Sequence, residues 1–89
     1  MKKQKRFAMP LQKLKVYRAT RGFYDTIVAA PSMKAALEAW GAEHNLFHQG
    51  AAKEIHDPAL VKLATSMPRV VFRRLVGSRG KFEPDIAKR

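Results

Sequence analysis

The stretch Phe23 to Gly41, FYDTIVAAPSMKAALEAWG, constrains the fold of this chain more than any other. Phe23 to Ala30 is rich in aromatic and β-branched residues and apolar on both faces near its end, the pattern of a central strand buried on at least one side. Pro31 cannot donate to a strand ladder and holds Ala30 extended, so the strand stops there. Ser32 is a natural N-cap, its hydroxyl accepting from an orphan amide of the first helical turn. A helix from Met33 to Trp40 then places Met33, Ala36, Leu37 and Trp40 on one face, with Lys34 and Glu38 as an i, i+4 pair on the wet side. Gly41 stands ready as the C′ residue. A strand that runs through a cap into an amphipathic helix belongs to a layered domain in which helix packs on sheet.

The flanking segments supply the other elements. LQKLKVYRAT, Leu11 to Thr20, alternates as a strand with Leu14 and Val16 on one face and Lys13, Lys15 and Tyr17 on the other. Arg21-Gly22 follows as a turn joining it to the Phe23 strand. Ala42 to Ile55 reads as one short or broken strand, with Leu46-Phe47 and Ile55 as apolar positions and Gly50 as a bend. Asp57-Pro58 pairs an N-cap with proline at N1 and opens a second helix whose apolar face is Leu60, Leu63, Ala64 and Met67, ended by Pro68. Arg69 to Val76 reads as the last strand, with Val70, Phe72, Arg74 and Val76 on one face. Gly77 to Lys81 is a basic loop.

The fold class expected is therefore α+β, a single domain in the order β-β-α-β-α-β, with a mainly antiparallel sheet and two short helices on one face. Residues 1–10 read as a basic arm that orders on a partner or as a solvated tail, residues 11–82 as the domain, and residues 83–89 as a C-terminal tail. Eighty-nine residues support one small core. MKKQKRFAMPLQK has the positive start of a signal peptide without the apolar stretch of ~7–15 residues that follows one, and no run approaches the ~20 apolar residues of a membrane span. The chain has no cysteine, hence neither a disulfide nor a thiolate metal site, which fits a cytoplasmic setting.

The parsed string resembles a group of small bacterial proteins labelled TolA-like or cell-envelope biogenesis proteins. Lys15-Val16-Tyr17-Arg18, Gly22-Phe23, the VAAPS run at Val28 to Ser32, Ala35 to Gly41, Leu46-Phe47, Gly50 and Asp57-Pro58 carry the resemblance, which covers roughly Leu14 to Gly77. These are caps, boundaries and core positions. The resemblance implies a shared compact fold, and no catalytic or binding residue comes with it.

No motif points to a reaction. His44 and His48 have the spacing of helical zinc ligands but no HExxH pattern and no helix after Gly41. GSRGK at Gly77 to Lys81 is two residues short of a nucleotide-hydrolysing phosphate loop, although its amides beside Arg79 and Lys81 remain candidates for holding a nucleic-acid phosphate. No carboxylate pair or activated serine stands out, and neither a catalytic residue, a metal nor a cofactor is expected.

Charge is the functional signal. The chain carries net +11, with eight cations and no anion in residues 1–21, a mildly acidic middle, and a second basic block from Lys62 onward. If the first and last strands lie side by side, Lys13, Lys15, Arg18, Arg69, Arg73 and Arg74 converge. Lys3, Lys5 and Arg6 of the arm and Arg79 and Lys81 of the loop then flank them. Tyr17, sharing a face with Lys13 and Lys15, is either a stacking residue among these cations or an ordinary exposed strand tyrosine. The function expected is a non-enzymatic nucleic-acid-binding domain, for DNA or RNA, with low sequence preference. The alternative is a small interaction module, a regulator or inhibitor docking on an acidic protein partner.

Overall fold

The computed structural model describes residues 13–85. Strands β1 (Lys15–Arg21) and β2 (Tyr24–Ala30) form an antiparallel hairpin in register from Lys15 opposite Ala30 to Arg21 opposite Tyr24. The loop is Gly22-Phe23, one residue later than the sequence suggests. Gly22 takes φ 64°. A glycine with positive φ at the first central position is the pattern of a type II′ turn, whose twist matches that of the strands it joins.

Helix α1 (Met33–Trp40) keeps the boundaries read from its local signals. Ser32 is extended and its Oγ accepts from the Ala35 amide at 3.1 Å. At the other end Gly41 adopts φ 68°, with Gly41 N–H donating to Glu38 O and Ala42 N–H to Leu37 O, both at 3.0 Å. This is a Schellman closure, which satisfies two carbonyls the last turn would leave open. The buried face is rotated from the expected one, because Ala35 and Ala36 are buried whereas Met33 is 53% exposed. Small side chains let the helix approach the sheet closely, and a methionine at the first turn stays outside.

β3 (Ala52–Ile55) follows a series of turns through Leu46, Phe47 and Gly50. Asp57 caps α2 (Pro58–Thr65), its carboxylate accepting from Ala59 N–H at 3.0 Å. β4 (Phe72–Leu75) is shorter than the predicted Arg69 to Val76. Glu83–Pro84, read from sequence as tail, forms a two-residue edge strand β5, where a proline is tolerated because the outer side needs no donor.

The sheet order is β3-β1-β2-β4-β5, with every neighbouring pair antiparallel. β1 and β4 are therefore not neighbours. β2 lies between them, each of its edges filled by one of the two, so a patch built from adjacent first and last strands does not form.

The expected α+β architecture with one antiparallel sheet holds, but the two helices lie on opposite faces rather than one. Val16, Ile27, Ala29 and Phe72 pack with Ala64 of α2. Tyr17, Val28 and Ala30, the alternate positions of the same strands, pack with Ala35 and Ala36 of α1. β2 is consequently buried on both sides from Asp25 to Ala30. Phe72, Ile27, Val16 and Val28 are the largest fully buried side chains, each stabilising the fold by about 1.5–3 kcal/mol through burial. Alanines at 29, 30, 35, 36 and 64 set the close helix–sheet spacing on both sides.

Two polar groups enter this core and both are paired. Asp25 accepts from Thr20 Oγ1 at 2.9 Å and sits 3.1 Å from the Arg18 guanidinium. Thr26 Oγ1 donates to the Ala19 carbonyl at 2.6 Å. Such pairing removes the ~1–3 kcal/mol penalty of an unsatisfied buried group.

Candidate functional site

α1 covers the half of its sheet face nearest Lys15 and Ala30. The other half, towards the Gly22-Phe23 turn, presents Arg21 from β1, Tyr24 from β2 and Arg73 from β4, with Thr26 buried beneath them. The ladder register puts them together, since Arg21 opposes Tyr24 and Thr26 opposes Arg73.

Arg73 is the centre of this surface. Its guanidinium carbon lies 4.5 Å from the centroid of the Tyr24 ring, a cation–π stack that holds a long side chain flat against the sheet. Arg73 also approaches Asp85 at 3.9 Å, with both side chains about half exposed. An exposed pair at that separation contributes only ~0–1 kcal/mol, so the guanidinium is held only weakly by this carboxylate.

An open cleft of about 400 Å³ lies on one side of Arg73, lined by Arg21, Thr26, Trp40, Arg69, Val71 and Asp85 among others. Arg21 Nη1 donates to the Trp40 carbonyl at 3.3 Å, a cation at the C-terminal end of α1 where the helix dipole favours it. Arg69 takes φ 68°, the only non-glycine residue with positive φ among those described, and its N–H donates to Ala29 O at 2.8 Å. This left-handed geometry turns the chain out of α2 and brings Arg69 to the cleft. A second open cleft of about 400 Å³ lies at the β4–β5 end, lined by Tyr24, Arg73, Arg74, Lys81 and Glu83 among others. Arg74 stacks over Phe82 at 4.3 Å and its Nη1 donates to the Gly80 carbonyl at 3.2 Å.

Of the residues expected from sequence, the structure sets Arg73 on the open α1 face, Arg69 in the cleft beside it and Lys81 in the cleft at the β4–β5 end. Arg74 borders that second cleft from the other side of the sheet, since it opposes Asp25 and stacks on Phe82 of the α2-face core. The remainder lie elsewhere. Tyr17 is not a surface residue. It is 3% exposed, and its ring meets Phe47 edge-on at 5.2 Å. Burial raises its phenol pKa, and Glu54 opposite it in β3 pushes in the same direction. The expectation failed because both sheet faces are covered, so alternation with lysines does not imply exposure. Arg18 sits on the α2 face, engaged by Asp25. Lys13 and Lys15 are exposed at the far end of β1 from Arg21, and Arg79 is exposed in the Gly77 to Lys81 loop. In that loop Gly80 N–H donates to Ser78 Oγ at 2.9 Å, so one amide of the suggested phosphate cradle is already used. Lys3, Lys5 and Arg6 lie outside the described residues.

Sequence reasoning missed Arg21 and Tyr24. The signal was present in Arg-Gly-Phe-Tyr: residues flanking a two-residue hairpin loop oppose each other and share a face. Each cleft is lined by one carboxylate, Asp85 or Glu83, and by no histidine. His44, His48 and His56 are exposed, and among the described residues no three His, Cys, Asp or Glu side chains group to hold a metal. No described helix is long and apolar enough to cross a membrane. The sequence matches no family model, and no curated protein or solved structure matches it.

Proposed function

We propose that this protein is a non-enzymatic nucleic-acid-binding domain that holds a single strand of DNA or RNA across the open half of its α1 face, with little sequence preference. The observation that carries the reading is the Arg73–Tyr24 stack flanked by two cationic clefts. A guanidinium held flat on a sheet offers a planar surface to a base and a fork of donors to a phosphate. Arg21 and Arg69 on one side, and Lys81 on the other, extend the run of cations along the path a phosphate backbone would take.

The chain's net charge of +11 supports association at long range. Neutralising several phosphates releases counterions, so log K falls with log salt by about 0.7 per contact on single strands. Fluorescence anisotropy with labelled oligo-dT and oligo-U is the direct test. Binding that weakens steeply between about 50 mM and about 200 mM salt is expected. Absence of binding to either probe at the lower salt overturns the reading.

A further inference from the structure

Phe23 is 81% exposed, although it occupies a two-residue turn that asks nothing of an aromatic side chain. The turn's geometry is met by Gly22, and the residues that favour such positions are Gly, Asn, Asp and Ser. A single exposed apolar residue is ordinary, but Phe23 is not isolated. Val76 N–H donates to Phe23 O at 2.9 Å, and Leu75 stands opposite Tyr24. Leu75 and Val76 are themselves 54% and 55% exposed. Three large apolar residues are therefore gathered at one end of the sheet and left exposed among the described residues.

The surroundings indicate what covers them. Arg21 and Arg73 stand on the adjoining sheet face, and Leu75 shares a cleft with Arg73, Arg74 and Lys81. An apolar tip rimmed by cations suits a ligand with exposed flat faces on a polyanionic chain, which is the chemistry of unstacked bases. The tip is also continuous with the Tyr24–Arg73 stack, one residue away along the backbone. We infer that Phe23 is a second base-stacking residue, taking the nucleotide next to the one on Arg73 and Tyr24, with Leu75 and Val76 as the apolar border of its seat. This rests on the proposed function and adds to it a residue and a direction: the strand leaves the sheet face over the Gly22-Phe23 turn.

The test compares Phe23→Ala and Arg73→Ala in the full chain by anisotropy against labelled oligo-dT and oligo-U across a salt series. Losing one base–aromatic stack weakens binding by roughly tenfold and leaves the salt slope unchanged, because stacking releases no counterion. Arg73→Ala lowers the slope by about 0.7. Thermal unfolding of Phe23→Ala is expected to match the parent, since the exposed ring leaves the fold without loss and the backbone bond to Val76 is kept. In the same series, vesicles containing phosphatidylserine report the competing occupant. Unchanged oligonucleotide affinity in Phe23→Ala overturns the stacking role while the proposed function stands, and release of that variant from the vesicles assigns the tip to a lipid surface instead. No oligonucleotide binding by the parent chain overturns both.

Discussion

The Arg73 guanidinium lies 4.5 Å from the centre of the Tyr24 ring, across the β2–β4 pair and on the sheet half that α1 leaves open. Arginine and lysine differ at such a site, because only the planar guanidinium stacks while it donates a fork of hydrogen bonds. Arg73→Lys is therefore expected to keep the salt slope of oligonucleotide binding but to weaken affinity several-fold, because an ammonium offers a base no planar surface to stack on. Arg73→Ala loses both affinity and slope. Because Arg73 is exposed, neither change is expected to cost folding stability more than the ~1 kcal/mol of its contact with Tyr24. Anisotropy and denaturant titration on the same samples check this. A fall in affinity that tracks unfolding would refute it.

Arg69 separates function from stability in the opposite sense. Its φ of 68° places a Cβ where L residues are disfavoured, at a cost of about 1 kcal/mol that glycine avoids. Arg69→Gly is expected to leave the unfolding midpoint unchanged or to raise stability by up to ~1 kcal/mol, the relief of strain being offset in part by the greater freedom of glycine in the unfolded chain. The same variant removes a cation from the cleft it shares with Arg21 and should bind oligonucleotides more weakly. Lower stability together with unchanged binding would show that Arg69 serves the α2-to-β4 turn rather than the surface.

The elements that could be read from sequence were those fixed by near neighbours along the chain. Pro31, Ser32 and Gly41 bound α1, and Asp57-Pro58 opens α2, because caps and breakers act within a turn of the residues they govern. The site was less legible because it is made by pairing. Tyr17 and Tyr24 are both strand tyrosines beside basic residues, yet one lies under Phe47 and the other beneath Arg73. The difference is the position of α1, which covers one half of a face and not the other. Arg18 reads as a free cation until the hairpin register sets it diagonally beside Asp25. The separation of β1 from β4 is likewise a property of strand order, which no residue in either strand specifies by itself.

The two caps offer a test of independence. Ser32→Ala and Asp57→Ala each remove a side-chain acceptor from a helix's first turn, and each is expected to cost about 1 kcal/mol. α1 and α2 pack on opposite faces and share no partner side chain, so the double variant should lose the sum within about 0.5 kcal/mol. Denaturant midpoints for the two single variants and the double variant decide it. A large departure from additivity would mean that the two half-cores communicate through β2.

Tyr17 gives the fold a predictable alkaline limit. Burial first, and Glu54 second, raise its phenol above the ordinary 10.0. The folded state then holds the proton more tightly than the unfolded state. The stability linked to Tyr17 is fully present below about pH 10 and is lost as pH rises through the higher folded value. Replacing Tyr17 with phenylalanine keeps the ring against Phe47 and deletes the titration. Tyr17→Phe is accordingly expected to be about as stable as the parent near neutral pH and to lose less stability above pH ~10, where the parent must either leave a phenolate buried or open the α1 face. Urea unfolding of both chains at a series of pH values measures the difference. Parallel curves through the alkaline range would show that Tyr17 ionises as readily folded as unfolded, and that the α1 face yields to water more easily than its packing implies.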